Sequence, residues 1–130
     1  MLAVVRKTAF CGVLSIGMVV SGVAEARSIP VYVYGDGQSD PCGGAEVRGL
    51  NPNGDGFLAV RAGPGSKYRR IAKLYEGDAV AWCDEKGKWW GVVWGGRDCL
   101  KAYERNGKRA YRGPCRSGWA HSNWIAFVAG

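Results

Sequence analysis

From Phe57 onward, short runs of β-prone residues alternate with turns that are rich in glycine. The chain has 130 residues and 21 glycines, and segments such as 51–56 and 63–65 consist almost entirely of turn-forming residues. Apolar residues hold no helical period for three turns anywhere in this region. Regularly spaced short strands between turns are typical of barrels and sandwiches. We therefore predict an all-β fold.

Two strands can be oriented by the alternation of their side chains. Neighbouring residues of a strand point to opposite faces, so one apolar face can be assigned to the interior. We predict strands over 78–83 and 89–94 whose inward residues are Val80, Trp82, Trp90 and Val92. Trp89 then points outward. We expect it to be exposed, and exposure of so large an apolar side chain points to binding or local packing.

The first 26 residues have the layout of a secretory signal peptide. Arg6 and Lys7 precede an apolar stretch without charge over 8–24, and residues 24–26 form an Ala-Glu-Ala cleavage site. A transmembrane anchor is the alternative, but this stretch is at the short end of the spanning range. We expect cleavage before Arg27, no membrane span in the mature chain, and export to the periplasm or the extracellular space.

Four cysteines remain after such cleavage, an even number in a short exported chain. This predicts two disulfides, and of the three possible connectivities we prefer Cys42–Cys83 with Cys99–Cys115. Zinc is the alternative, but zinc sites use closely spaced ligand pairs. Turn 51–56 begins like a calcium loop, yet Ala62 occupies the position of the closing carboxylate. We expect no metal and no other cofactor.

Several motifs, in order, resemble those of bacterial SH3-like domains. Residues 58–65 read Leu-Ala-Val-Arg-Ala-Gly-Pro-Gly, Glu76-Gly77-Asp78 precede a strand, Trp89-Trp90 form a tryptophan pair, and 118–125 read Gly-Trp-Ala-His-Ser-Asn-Trp-Ile. The resemblance implies a small SH3-like barrel over 56–130, preceded by an N-terminal arm over 27–55. A long insertion over 95–117, clipped by cysteines, stands where the family often has a tight hairpin.

The same resemblance implies a groove that binds a ligand. Trp89 matches the tryptophan that stacks on ligands, His121 stands where such domains place a proline, and Asn123 and Trp124 match the neighbouring polar and aromatic positions. With Tyr68, these are the expected groove residues. The opening lacks the acidic, tyrosine-bearing motif that binds proline-rich peptides, so the expected ligand is a peptidoglycan peptide or another protein.

The mature chain is basic, with a net charge of 16 − 10 = +6 once the leader residues Arg6, Lys7 and Glu25 are removed. Charge alone permits nucleic-acid binding, but an exported protein meets other polyanions first, and we expect no nucleic-acid partner. Five of the cations cluster over 105–116 in the insertion: Arg105, Lys108, Arg109, Arg112 and Arg116. A second hypothesis is therefore a secreted inhibitor or effector that contacts a protein through this basic loop.

The sequence offers little for catalysis. His121 is the single histidine, the cysteines are expected to be paired, and the acids are scattered through polar loops. No nucleophile is accompanied by a base and an orienting group. A small hydrolase that uses His121 is a third hypothesis. We expect a non-catalytic binding module.

Overall fold

The computed structural model describes residues 27–38 and 40–129, and these form an all-β fold. The predicted signal peptide, 1–26, lies outside the described residues. The strands are β1 Tyr32–Gly35, β2 Gly43–Val47, β3 Leu58–Arg61, β4 Arg70–Leu74, β5 Ala79–Lys86, β6 Trp89–Trp94, β7 Gly107–Ala110, β8 Arg116–His121 and β9 Ile125–Ala129. Two short 3-10 helices, Lys101–Tyr103 and Ser122–Trp124, precede β7 and β9. The all-β prediction is confirmed.

Seven of the strands form one antiparallel sheet in the order β4-β3-β8-β6-β5-β2-β9. β1 and β7 form a separate two-stranded ribbon. Among the described residues no ladder joins β9 back to β4, so the large sheet is open in its hydrogen bonding. The described strands thus do not form the closed barrel that the resemblance implies.

The main core lies on one face of the large sheet. Its buried residues are Ala45, Val47, Leu58, Val60, Leu74, Val80, Val92, Ala120 and Ile125. Trp82 and Trp90 pack against it with their rings stacked at 4.0 Å between centroids. The predicted inward orientation of Val80, Trp82, Trp90 and Val92 is therefore confirmed.

A second core covers part of the opposite face of the same sheet. It is built from Val31, Val33, Val93, Cys99, Tyr103, Tyr111 and Trp119, all buried. These residues come from three places: the N-terminal arm, the insertion and the strands β6 and β8. The arm and the insertion, which were separate features of the sequence, therefore fold together over one face of the sheet.

Close backbone contacts hold the arm in place. The Asp84 carboxylate is buried and accepts hydrogen bonds from the backbone N–H groups of Tyr32, at 2.9 Å, and Glu85, at 2.7 Å. Gly91 faces the arm, and a Cβ there would lie 3.0 Å from a methyl carbon of Val31 and 2.8 Å from the Asp84 Cβ. A side chain at position 91 would therefore push β6 away from the arm.

Both disulfides are present, and their pairs are those preferred from the sequence. Cys42–Cys83 joins the segment leading into β2 to β5, and Cys99–Cys115 closes the base of the insertion. β2, which belongs to the segment expected to be an arm, lies inside the large sheet between β5 and β9. The arm thus contributes one strand to the sheet and one to the ribbon.

Trp89 departs from its expected exposure. It lies on the strand face opposite Trp90, as predicted, but its side chain is half-buried and packs against the second core. The alternation of one strand gives the direction of a side chain and does not reveal what covers it. The covering residues come from distant parts of the chain.

Candidate functional site

Three of the five predicted groove residues line one groove on the outer face of the sheet. Trp89, His121 and Trp124 border a cavity of about 390 Å³. Its other lining residues come mainly from the segment between β2 and β3 and from β3 itself: Leu50, Asn51, Asp55, Gly56, Phe57, Leu58, Ala59, Arg61 and Ser66. The groove lies next to the second core, because Trp89 lines the groove and also packs against that core.

The pairing of β6 with β8 brings Trp89 and His121 together. Trp89 is the register partner of His121, and partners in antiparallel strands project to the same face. Their rings meet edge to face, with centroids 5.4 Å apart and planes at 73°. Trp119, two residues before His121, shares that face and is fully buried beneath the arm, where its indole N–H donates to the Ile29 carbonyl at 2.8 Å.

The imidazole of His121 has a defined hydrogen-bonding role. Its Nδ1 accepts a hydrogen bond from the backbone N–H of Asn123 at 3.1 Å and so caps the 3-10 helix that follows β8. A neutral imidazole that accepts at Nδ1 carries its proton on Nε2. His121 can thus present an N–H donor to a ligand.

The 3-10 helix Ser122–Trp124 places the second tryptophan. The backbone N–H of Ser122 donates to the Lys88 carbonyl at 2.8 Å, and the Trp124 carbonyl accepts from the Arg48 backbone N–H at 2.9 Å. These bonds tie both ends of the helix to neighbouring segments. The Trp124 side chain remains 38% exposed. The backbone bonds therefore position an aromatic ring that is accessible to a ligand.

Tyr68 and Asn123 do not line the groove. The exposed Asn123 enters the site through its backbone bond to His121. Tyr68 lies over Gly63, where a Cβ would come within 2.4 Å of its ring. Its carbonyl accepts a hydrogen bond from the Arg61 guanidinium at 2.9 Å. Tyr68 therefore shapes the groove indirectly, because it holds a lining residue.

Sequence reasoning missed the contribution of β3 and the turn before it. Phe57 and Arg61 line the groove, and the ring centroid of Phe57 lies 5.2 Å from the Arg70 guanidinium and 4.5 Å from the Lys73 ammonium. The signal was present in the alternation of the strand. Leu58 and Val60 are buried in the main core, so Phe57, Ala59 and Arg61 point to the other face.

A larger cavity, of about 840 Å³, lies between the arm and the insertion. Its lining residues surround Cys42 and Cys99 and include residues of both charges, among them Asp98, Lys101 and Glu104. None of the predicted groove residues borders it. Ligand sites combine an apolar, aromatic wall with a few placed polar groups, and the smaller groove meets that description better.

Three findings complete the description of the site. In the described part of the chain, no group of three or more His, Cys, Asp or Glu side chains could hold a metal ion. No helix within residues 27–38 and 40–129 is long and apolar enough to cross a membrane. Comparison of the chain with protein-family models, with curated proteins and with solved structures finds no match.

Proposed function

We propose that this chain is a non-catalytic binding module of the bacterial envelope. In this proposal an SH3-like domain recognises peptidoglycan peptides, or a protein partner, through the groove between Trp89, His121 and Trp124. The observation that carries the proposal is the convergence of these three side chains, which come from β6, β8 and the 3-10 helix, on one cavity. They are also the positions that the SH3-like resemblance implies.

The chemistry of the groove suits a peptide. Two indole rings provide flat apolar surface, and such surfaces gain from stacking on peptide or sugar groups. The Nε2–H of His121 would donate to a peptide carbonyl, and the Arg61 guanidinium retains donors beyond the one that binds the Tyr68 carbonyl. Apolar stacking would thus supply affinity, and these donors would fix orientation.

Export of the protein is part of the proposal. Two disulfides in a small domain are consistent with an oxidising compartment. The leader-like layout of residues 1–26 supports the same conclusion from the sequence. A mature protein in the periplasm or outside the cell would meet peptidoglycan directly.

A pull-down on purified peptidoglycan tests the proposal. The mature protein should co-sediment with the insoluble polymer, and Trp124→Ala should abolish this, since truncation of a central anchor costs about 2 kcal/mol or more. Tyr75→Ala is the matched control, because Tyr75 is 52% exposed and does not line the groove. Equal co-sedimentation of the wild type and Trp124→Ala would reject the groove.

One observation favours the second candidate, a secreted inhibitor or effector that acts through the basic loop. Between 105 and 116 the chain has five cations and no carboxylate, and the side chains of Arg105, Lys108 and Arg112 are exposed. Tyr103 and Tyr111 anchor this segment in the second core, so the backbone that carries these charges has a defined position. Binding lost in Arg105→Gln/Arg112→Gln and retained in Trp124→Ala would favour this candidate.

A further inference from the structure

One wall of the groove belongs to the β3–β4 hairpin, and its outer face is basic. Ala59 is the register partner of Lys73, and Arg61 is the partner of Arg70. Partners on antiparallel strands share a face, so Arg61, Arg70 and Lys73 all lie on the groove side of the hairpin. Leu58, Val60 and Leu74 occupy the other face, in the main core.

These cations gather around one aromatic ring. The Phe57 ring, which lines the groove, has the Lys73 ammonium 4.5 Å and the Arg70 guanidinium 5.2 Å from its centroid. Contact with the ring restrains two otherwise flexible side chains while it leaves their N–H donors available. Both residues are exposed, and the described part of the chain provides neither with a carboxylate partner within 4.0 Å.

The Phe57 end of the groove therefore carries an excess of positive charge. Among the described residues that line the groove, the Asp55 carboxylate offsets the Arg61 guanidinium, and the excess comes from Arg70 and Lys73, which contact the Phe57 ring without lining the cavity themselves. An arginine fork and an ammonium together match the geometry of a carboxylate. A neutral or cationic ligand would leave these charges without a partner.

We propose that the Phe57 end of the groove, with Arg70 and Lys73, is a carboxylate subsite, and that the groove selects acidic cell-wall peptides. This inference rests on the proposed function of the groove and specifies its ligand. The tryptophan end would hold the body of the peptide, and the cations would receive a free carboxylate of the same molecule. Recognition would then depend on the negative charge of the peptide.

Chemical amidation of the polymer separates this inference from the proposed function. Purified peptidoglycan is treated with a carbodiimide and an amine, which converts its free carboxylates to neutral amides, and the pull-down is repeated. We expect binding to fall about tenfold or more, on the scale of a lost charge-assisted contact. Binding that stays equal on amidated polymer and still requires Trp124 overturns the carboxylate subsite and leaves the groove function intact. Failure to bind either polymer overturns both.

Paired variants test the assigned side chains. Arg70→Gln/Lys73→Gln should weaken binding to untreated peptidoglycan about tenfold and remove most of the discrimination against amidated polymer. Arg97→Gln/Lys101→Gln is the control, since it removes the same charge from exposed positions in the insertion that lie outside the basic segment 105–116. Asp55→Asn should act in the opposite direction and tighten binding, because it removes the negative charge in the groove. Equal losses in the two double variants would show a nonspecific charge effect and overturn the subsite.

Discussion

At the scale of single residues, Tyr111 organises the insertion through its hydroxyl group. The buried hydroxyl donates to the Cys99 carbonyl at 2.9 Å and accepts from the Cys115 backbone N–H at 3.0 Å. It therefore bridges the two ends of the segment that the disulfide closes. Tyr103, whose ring centroid lies 5.0 Å away, accepts a hydrogen bond from the Arg112 backbone N–H at 2.7 Å. Two phenols thus satisfy backbone groups that strands do not pair.

Tyr111→Phe should lower the free energy of unfolding by about 1–3 kcal/mol, because it leaves the buried Cys99 carbonyl and the partly buried Cys115 N–H without their partner. The variant should also change the response to alkaline pH. Burial raises the pKa of Tyr111 above its ordinary value of 10.0. Its neutral form therefore stabilises the fold fully below about pH 10, and that contribution is lost as pH rises through the raised value.

Urea unfolding at neutral and alkaline pH measures both effects. The wild type should lose stability more steeply above about pH 10 than Tyr111→Phe does. Tyr75→Phe serves as the control, because the exposed Tyr75 side chain should contribute to neither effect. Parallel alkaline slopes for the wild type and Tyr111→Phe would contradict the assignment.

At the scale of elements, the insertion and the arm stabilise each other. The β1–β7 ribbon joins them, and the Tyr111 backbone N–H donates to the Val31 carbonyl at 2.7 Å. Among the described strands, β1 and β7 pair only with each other. Loss of a constraint on the insertion should therefore destabilise the arm as well.

Cys99→Ser/Cys115→Ser should destabilise this ribbon selectively. The cysteines are 16 residues apart, and closure of a loop of this length contributes about 3 kcal/mol in the chain-entropy model. Hydrogen exchange should accelerate first in β1 and β7, while the amides of β5 and β6 stay protected. Cys42→Ser/Cys83→Ser is the comparison, since that bond joins β5 to the segment leading into β2. Uniform acceleration across all strands would contradict a local role for Cys99–Cys115.

Local patterns in the sequence predict the strands and the direction of their side chains. They do not predict which residues pack against those side chains. Alternation placed Val80, Trp82, Trp90 and Val92 correctly, because burial of one face imposes a period of two. It could not predict that Val93 and Trp89 would meet a second core. That core depends on pairing between β1 and β7, which are more than 70 residues apart, and no short-range pattern encodes such a contact.

The residues of the candidate site could likewise be predicted only in part from the sequence. The resemblance to SH3-like domains singled out Trp89, His121 and Trp124, which line the groove together. The resemblance does not identify Phe57 and Arg61 as groove residues, although the alternation of β3 places them on the face opposite the main core. Tyr68 is also predicted to belong to the groove, but its ring packs on Gly63. Residue type alone does not distinguish a ring that packs on a turn from one that faces a ligand.

At the scale of the whole molecule, one wall of strands separates two cores. Val92 and Val93 are neighbours in β6, yet Val92 belongs to the main core and Val93 to the second. Ala120 and Trp119 divide in the same way in β8. Both cores pack on β6 and β8. Unfolding of one core would therefore expose one face of these strands and destabilise the other core. We therefore infer one cooperative unit.

Val92→Ala and Val93→Ala test this cooperativity directly. Both side chains are almost fully buried, and removal of two buried methyl groups should lower the free energy of unfolding by about 2 kcal/mol in each variant. Because the cores share β6 and β8, each variant should still unfold in one transition, with tryptophan fluorescence and far-ultraviolet circular dichroism coincident. Val128→Ala, at a position that is 53% exposed, should change little. A separate early transition in Val93→Ala alone would mean that the arm and the insertion form an independent layer. In that case the groove, which borders the second core at Trp89, would lose its support before the main sheet unfolds.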